Sequence, residues 1–180
     1  MKILAISASL RKKSFNTAII TSLKSMNTCV ESYDSLGKLP FFNADEDIHT
    51  LEVDNSPKEV QLLRKKIDEC DALIFSTPEY AFQIPGVLKN ALDWLVSSGN
   101  LLNKPVAVVS ASTSKMGADK ANKVLCDLVK VLMGKVDETR ILKVSAVNNK
   151  FDENSLLIDE ELKKSLQILL NNLQENIISN

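Results

Sequence analysis

The 180-residue sequence contains a single histidine, His49, and only three cysteines, Cys29, Cys70 and Cys126, all far apart. One imidazole gives little support to a histidine-based metal centre or a Ser-His-Asp triad. No cysteine pair has the roughly two- to four-residue spacing of a zinc knuckle, so no metal site is expected. His49 reads as a solvated loop residue, and the cysteines as reduced, buried small hydrophobes in a cytosolic protein. An excess of either charge is also missing, with 22 Lys and Arg against 23 Asp and Glu. That balance excludes a generalised electrostatic grip on nucleic acid or an acidic membrane, so any anion site has to be local. No window approaches the about 20 apolar residues of a membrane span. The opening Met1-Lys2-Ile3-Leu4-Ala5-Ile6-Ser7-Ala8-Ser9 is too short an apolar stretch for a signal peptide, and Arg11-Lys12-Lys13 follow at once. The expectation is a cytoplasmic chain with neither nucleic acid nor membrane as partner.

Several sequence motifs are absent as well. There is no G-x-x-x-x-G-K-[ST], which disfavours a nucleoside-triphosphatase P-loop, and no G-x-G-x-x-G, which disfavours a Rossmann-held dinucleotide. The loop after the first apolar run has no thiol for a cysteine phosphatase and no acidic residues for a phosphoacceptor domain.

What is present is ordinary globular composition, 44% hydrophobic and 25% charged, in a length near that of one domain. A single domain over 1-180 is therefore expected. Ile3-Leu4-Ala5-Ile6, Ala72-Leu73-Ile74-Phe75 and Val106-Ala107-Val108-Val109 are continuous apolar runs without in-and-out alternation, as parallel strands covered on both faces require. Weaker strands are expected at Thr28 to Tyr33 and between Val136 and Val144. Ser56-Pro57-Lys58-Glu59 supplies an N-cap, a first-turn proline and a capping-box glutamate, ahead of a stripe of Val60, Leu63, Ile67 and Cys70. Pro85 opens a helix carrying Leu88, Ala91, Leu92 and Leu95. Another helix is expected from about Met116 to Met133, ending at Gly134. A last one places Leu162, Leu166, Leu169, Leu173 and Ile177 on one face. Strand-helix alternation repeated about five times implies a doubly wound α/β sheet, whose ligands bind beyond the carboxyl ends of the strands.

Two segments at such strand ends carry chemistry. In Ser9-Leu10-Arg11-Lys12-Lys13-Ser14-Phe15-Asn16-Thr17, Ser14 is an N-cap that leaves helix-start amides pointing outward. Hydroxyls, the Asn16 amide and the Arg11 guanidinium add donors that suit a phosphate monoester. An ordinary capped helix with a solvated basic turn explains the same composition, and local residues alone leave both readings open. In Ser76-Thr77-Pro78-Glu79-Tyr80-Ala81-Phe82-Gln83-Ile84-Pro85, two prolines stiffen a turn whose amides and aromatic walls suit a planar heterocycle. Pro85 as a plain helix start, with Phe82 and Trp94 in a core or subunit contact, is the equally available alternative.

The run from Ala8 to Asn16 resembles the G-S-L-R-x-x-S-x-N pattern of the NADPH-dependent FMN reductase family, which also includes azo-dye, quinone and chromate reductases. The run from Pro78 to Trp94 is similar to that family's P-E-Y-N-x-x-x-P-G-x-L-K-N-A-x-D-W, and Leu39 to Asp45 to its connection after the second strand. The resemblance implies a flavodoxin-like three-layer α/β sandwich, with a five-stranded parallel sheet of order 2-1-3-4-5. It implies that Ser9, Arg11, Ser14, Asn16 and Thr17 hold the FMN phosphate, and that Pro78, Glu79 and Tyr80 lie along the ribityl chain and isoalloxazine. Ser110 and Ser112 belong to the third flavin loop, Ser110 to Gly117. The implied activity is ping-pong, from NADPH (NADH being possible) to flavin and then to a small acceptor such as a quinone, azo compound, metal oxyanion or free FMN. No side chain is assigned as catalytic, because the flavin carries the chemistry. A non-catalytic FMN electron carrier and a flavin-free interaction module are the alternatives. The family usually forms homodimers or homotetramers, for which Phe41, Phe42 and Trp94 are candidate contacts if exposed, core packing being an equal account of each. Three positions depart from the pattern: Ala8 and Ala81 replace a glycine and an asparagine, and the third loop is serine-rich.

Overall fold

The three apolar runs and the two weaker strands form one parallel sheet: β1 (Ile3–Ser7), β2 (Val30–Tyr33), β3 (Ala72–Thr77), β4 (Val106–Ala111) and β5 (Ile141–Val144), ordered β2-β1-β3-β4-β5. This is the expected flavodoxin-like order, and the register is continuous, Ile3 facing Val30 on one side and Ala72 on the other. The computed structural model describes residues 1–48 and 53–178, the side chains of 176–178 excepted. His49 lies outside the described residues, as does the side chain of Ile177.

Five α-helices cover the sheet: α1 (Phe15–Met26), α2 (Lys58–Asp68), α3 (Gly86–Asp93), α4 (Asp119–Val131) and α5 (Glu160–Ile178). Alternation along each strand divides the core in two. Leu4 and Ile6 point to Leu63, Ile67, Leu88, Leu92, Leu125 and Val129 of α2 to α4. Ile3 and Ala5 point to Ile19 and Leu23 of α1 and to Leu166, Leu169 and Leu173 of α5. Both faces of β3 and β4 are therefore buried, which is why those strands read as unbroken apolar runs. Among the described residues no helix is long and apolar enough to cross a membrane.

Four local expectations need correction. Ser56 does not cap α2; the helix starts one residue later, from Pro57, without a side-chain cap. The Ser56 hydroxyl instead accepts from Arg64 Nη1 at 2.7 Å. Helix α4 begins at Asp119 rather than near Met116, because the preceding serine-rich segment folds back on itself as a loop. Trp94 is fully buried and donates its indole N–H to the Pro40 carbonyl at 3.0 Å, so it offers nothing to a subunit contact. Cys29 is half-buried, whereas Cys70 and Cys126 are buried, and burial pushes the Cys126 thiol up to about 11.

The long connection after β2 is tied down by a buried cation. Arg64 donates to Asp47 Oδ1 at 2.6 Å, to both carboxylate oxygens of Asp54 at 3.1 Å, and to the Trp94 carbonyl at 2.6 Å. Burial raises the Asp54 carboxyl, but hydrogen bonds from the Ser56 N–H and hydroxyl and from Arg64 outweigh it and hold the group below its usual value. Asn90 fastens the same connection from α3, donating to the Pro40 carbonyl and accepting from the Phe42 N–H.

Candidate functional site

The loops leaving β1, β3 and β4 meet at the carboxyl edge of the sheet around a cleft of about 500 Å³. The first loop contributes Ser9, Arg11, Ser14, Phe15 and Asn16, and the second Pro78, Glu79 and Tyr80. The third contributes Ala111, Ser112 and Thr113, and Val147 comes from beyond β5. Eight of the ten residues singled out from sequence line this space.

The donors of the first wall follow from how α1 starts. Ser14 is extended (φ −95°, ψ 124°), and its hydroxyl accepts from the Thr17 N–H at 3.3 Å, while its carbonyl takes the Ala18 N–H. The N–H groups of Phe15 and Asn16 have no intrahelical acceptor, and both residues face the cleft. No acidic side chain occupies the first turn, so its positive dipole end is uncompensated there. Arg11 is exposed at the rim, and its guanidinium has no hydrogen-bond or salt-bridge partner among the described residues. Asn16 is buried: its amide donates to the Ala111 carbonyl at 3.4 Å and accepts from the Ser76 hydroxyl at 3.0 Å. Its side chain thus rivets the helix start to β3 and β4, leaving the backbone N–H for a ligand.

The second wall is a tight turn. Tyr80 and Gln83 exchange backbone hydrogen bonds of 3.0 and 2.9 Å around Ala81 (φ 50°) and Phe82 (φ 64°). Two consecutive positive φ values between a mutually bonded pair are the pattern of a type I′ turn, which favours Asn-Gly. Phe82 projects outward, 69% exposed, rather than packing in the core.

The third wall is stitched internally by its serines. Ser112 and Ser114 hydroxyls accept from the Ser114 and Met116 N–H groups, and the Ser112 and Ser114 carbonyls bond the Val147 and Ala146 amides. Gly117 (φ 60°) packs where a Cβ would stand 3.2 Å from the Ser145 nitrogen, so a side chain there would be strained.

Two of the expected residues lie elsewhere. Ser110 is fully buried; its hydroxyl donates to the Gly117 carbonyl at 2.7 Å and accepts from the Asn122 amide at 3.0 Å, anchoring the loop from behind. Thr17 faces a groove beside β2, with its hydroxyl 2.9 Å from that of Ser7. Ala8, which stands for the pattern's glycine, is buried and lies outside the positive-φ positions, so the replacement requires no strained backbone. Phe15, Ala111, Thr113 and Val147 also line the cleft; the first three fall within segments named from sequence without being singled out, and sequence reasoning missed Val147. Val147 arrives through strand order and has no local signal.

The family model for NADPH-dependent FMN reductase matches residues 1–146. The chain is 33% identical over 180 residues to an NAD(P)H-dependent FMN reductase of Pseudomonas aeruginosa, covering 97% of this chain and 94% of that protein. It is also 33% identical over 184 residues to an NAD(P)H:quinone oxidoreductase of Solanum tuberosum, with 97% and 91% covered. Among solved structures, FerB, a flavoenzyme NAD(P)H:(acceptor) oxidoreductase from Paracoccus denitrificans, superposes with a TM-score of 0.78 at 28% identity, covering 99% of this chain and 98% of that one.

Proposed function

The chain belongs to the NADPH-dependent FMN reductase family and is an oxidoreductase, and on that premise we propose that its cleft holds FMN, takes electrons from NADPH or NADH, and delivers them to a small acceptor, with a quinone first among the candidates. The observation that carries this reading is the meeting, in one cleft, of the unbonded start of α1, the unpartnered Arg11 and the stiff turn after β3. The donor set fits the cofactor. A phosphate dianion matches two amide N–H groups, a guanidinium and the Ser9 hydroxyl, and the carboxylate that lines the cleft among the described residues, Glu79, bonds a backbone amide of α4.

In this reading Ser9, Arg11, Ser14 and Asn16 hold the phosphate, Asn16 through its backbone. Pro78, Glu79 and Tyr80 border the ring from one side and Ser112 from the other. FMN, when bound, supplies the hydride-accepting and electron-donating chemistry. The protein's own part is to orient: the rigid turn fixes its amides, and the half-exposed Tyr80 leaves the cleft mouth open to a planar partner. Thr17 and Ser110 act indirectly, by shaping the loops. Phe41, 91% exposed beside Phe42, supports association into a homodimer or homotetramer through the connection after β2.

The test is an absorption spectrum of the purified protein with and without added FMN, followed by anaerobic NADPH. A flavin band that bleaches is expected, and Arg11→Ala should weaken FMN binding by about tenfold or more, the loss of a charge-assisted contact. A protein that acquires no flavin band from excess FMN would remove the proposal.

A further inference from the structure

Helix α4 starts without a cap of its own. The preceding residue, Ala118, is left-handed (φ 61°, ψ 45°) and has no side-chain acceptor to offer. The missing acceptor comes from a different loop: Glu79 Oε2 takes the Ala121 N–H at 2.9 Å. Ala121 is the third residue of the helix, where an ordinary N-cap side chain would bond. A carboxylate suits the place, because a helix start concentrates partial positive charge.

The two partners belong to opposite walls of the cleft. Glu79 sits between Pro78 and Tyr80, while α4 is continuous with the loop that carries Ser112 and Thr113. Behind that loop, Ser110 and Asn122 already hold it to the sheet. On the cleft side, the turn after β3 reaches α4 through this carboxylate. We propose that Glu79 is a positioning residue, whose carboxylate sets the spacing of the two walls before a ligand arrives. The geometry stands by itself, while its consequence for FMN rests on the function proposed above.

Glu79→Ala and Glu79→Gln separate the possibilities, and neither disturbs the two cores. In hydrogen exchange on the ligand-free chain, E79A should speed exchange across residues 112–121 by at least about fivefold, the loss of a cap. E79Q keeps an acceptor oxygen and should restore protection. In FMN titrations, E79A should weaken binding at least about threefold and E79Q should recover most of it, as expected of an acceptor rather than of bulk. Unchanged exchange in E79A overturns the proposal. So does E79Q behaving like E79A, or unaltered FMN affinity despite loosened loops. If the wild-type chain takes up no FMN, the flavin reading fails, and the exchange comparison still decides whether Glu79 ties the walls.

Discussion

At the scale of single residues, Ala81 and Phe82 hold the least comfortable backbone of the site. Both have positive φ in a turn that Asn-Gly would occupy with little strain. Side chains other than Gly or Asn in this region cost of order 1 kcal/mol each. The double substitution A81N/F82G should therefore raise stability by about 1 kcal/mol, part of the relief being offset by the greater freedom of glycine in the unfolded chain. Urea unfolding of the two proteins checks this; an unchanged or lower midpoint would mean that the turn is not strained. Residues of this scale were legible where the signal was local. The part given to Arg11 rests on the family resemblance, whereas Ser14 could be placed as a cap from spacing alone, because a capping serine acts on an amide three residues away. Glu79 and Ser110 could not. The side chain of Glu79 bonds a residue 42 positions on, and which face of β4 Ser110 presents depends on the packing of α4.

At the scale of elements, the helices and strong strands were readable from period and apolar runs, and their ends were less so. Ser56 has the right neighbours for a cap, yet its hydroxyl serves Arg64. A buried guanidinium with many donors competes successfully for a nearby hydroxyl, and no local pattern announces that it is buried. Arg64 joins α2, the end of α3 and the connection carrying Asp47 and Asp54. Arg64→Ala leaves Asp47, itself 9% exposed, without its cation, and should cost about 3–5 kcal/mol. Arg64→Lys should recover only part of this, because a single ammonium cannot reach all of these acceptors. Denaturant midpoints of the two variants test it, and a loss below about 1 kcal/mol in the alanine variant would show that the connection is held by other means.

For the molecule as a whole, acid should be the weak direction. Hydrogen bonding from Arg140 holds the Asp137 carboxyl down, and the Leu162 N–H does the same for Asp159, while Asp54 is lowered by Ser56 and Arg64 against the pull of its burial. Each carboxyl binds protons less readily folded than unfolded, so its contribution is complete above the ordinary value near 4 and disappears as pH falls through the lower folded values. Urea midpoints should be level from about pH 7 to 5 and decline below about pH 4; a midpoint that holds steady down to pH 2.5 would contradict these assignments. The global arrangement was legible because strand-helix alternation admits few topologies, and doubly wound sheets gather their active loops at one edge. The contribution of Val147 was not, since it depends on where β5 falls beside β4.

That gathering leaves the opposite rim of the sheet, at the amino ends of the strands, remote from the cleft. Thr28, exposed in the bend between α1 and β2, stands on that rim. An epitope or tether spliced there would hang from the blunt end of the molecule, and a chain immobilised through it would present its open mouth to the surrounding solution.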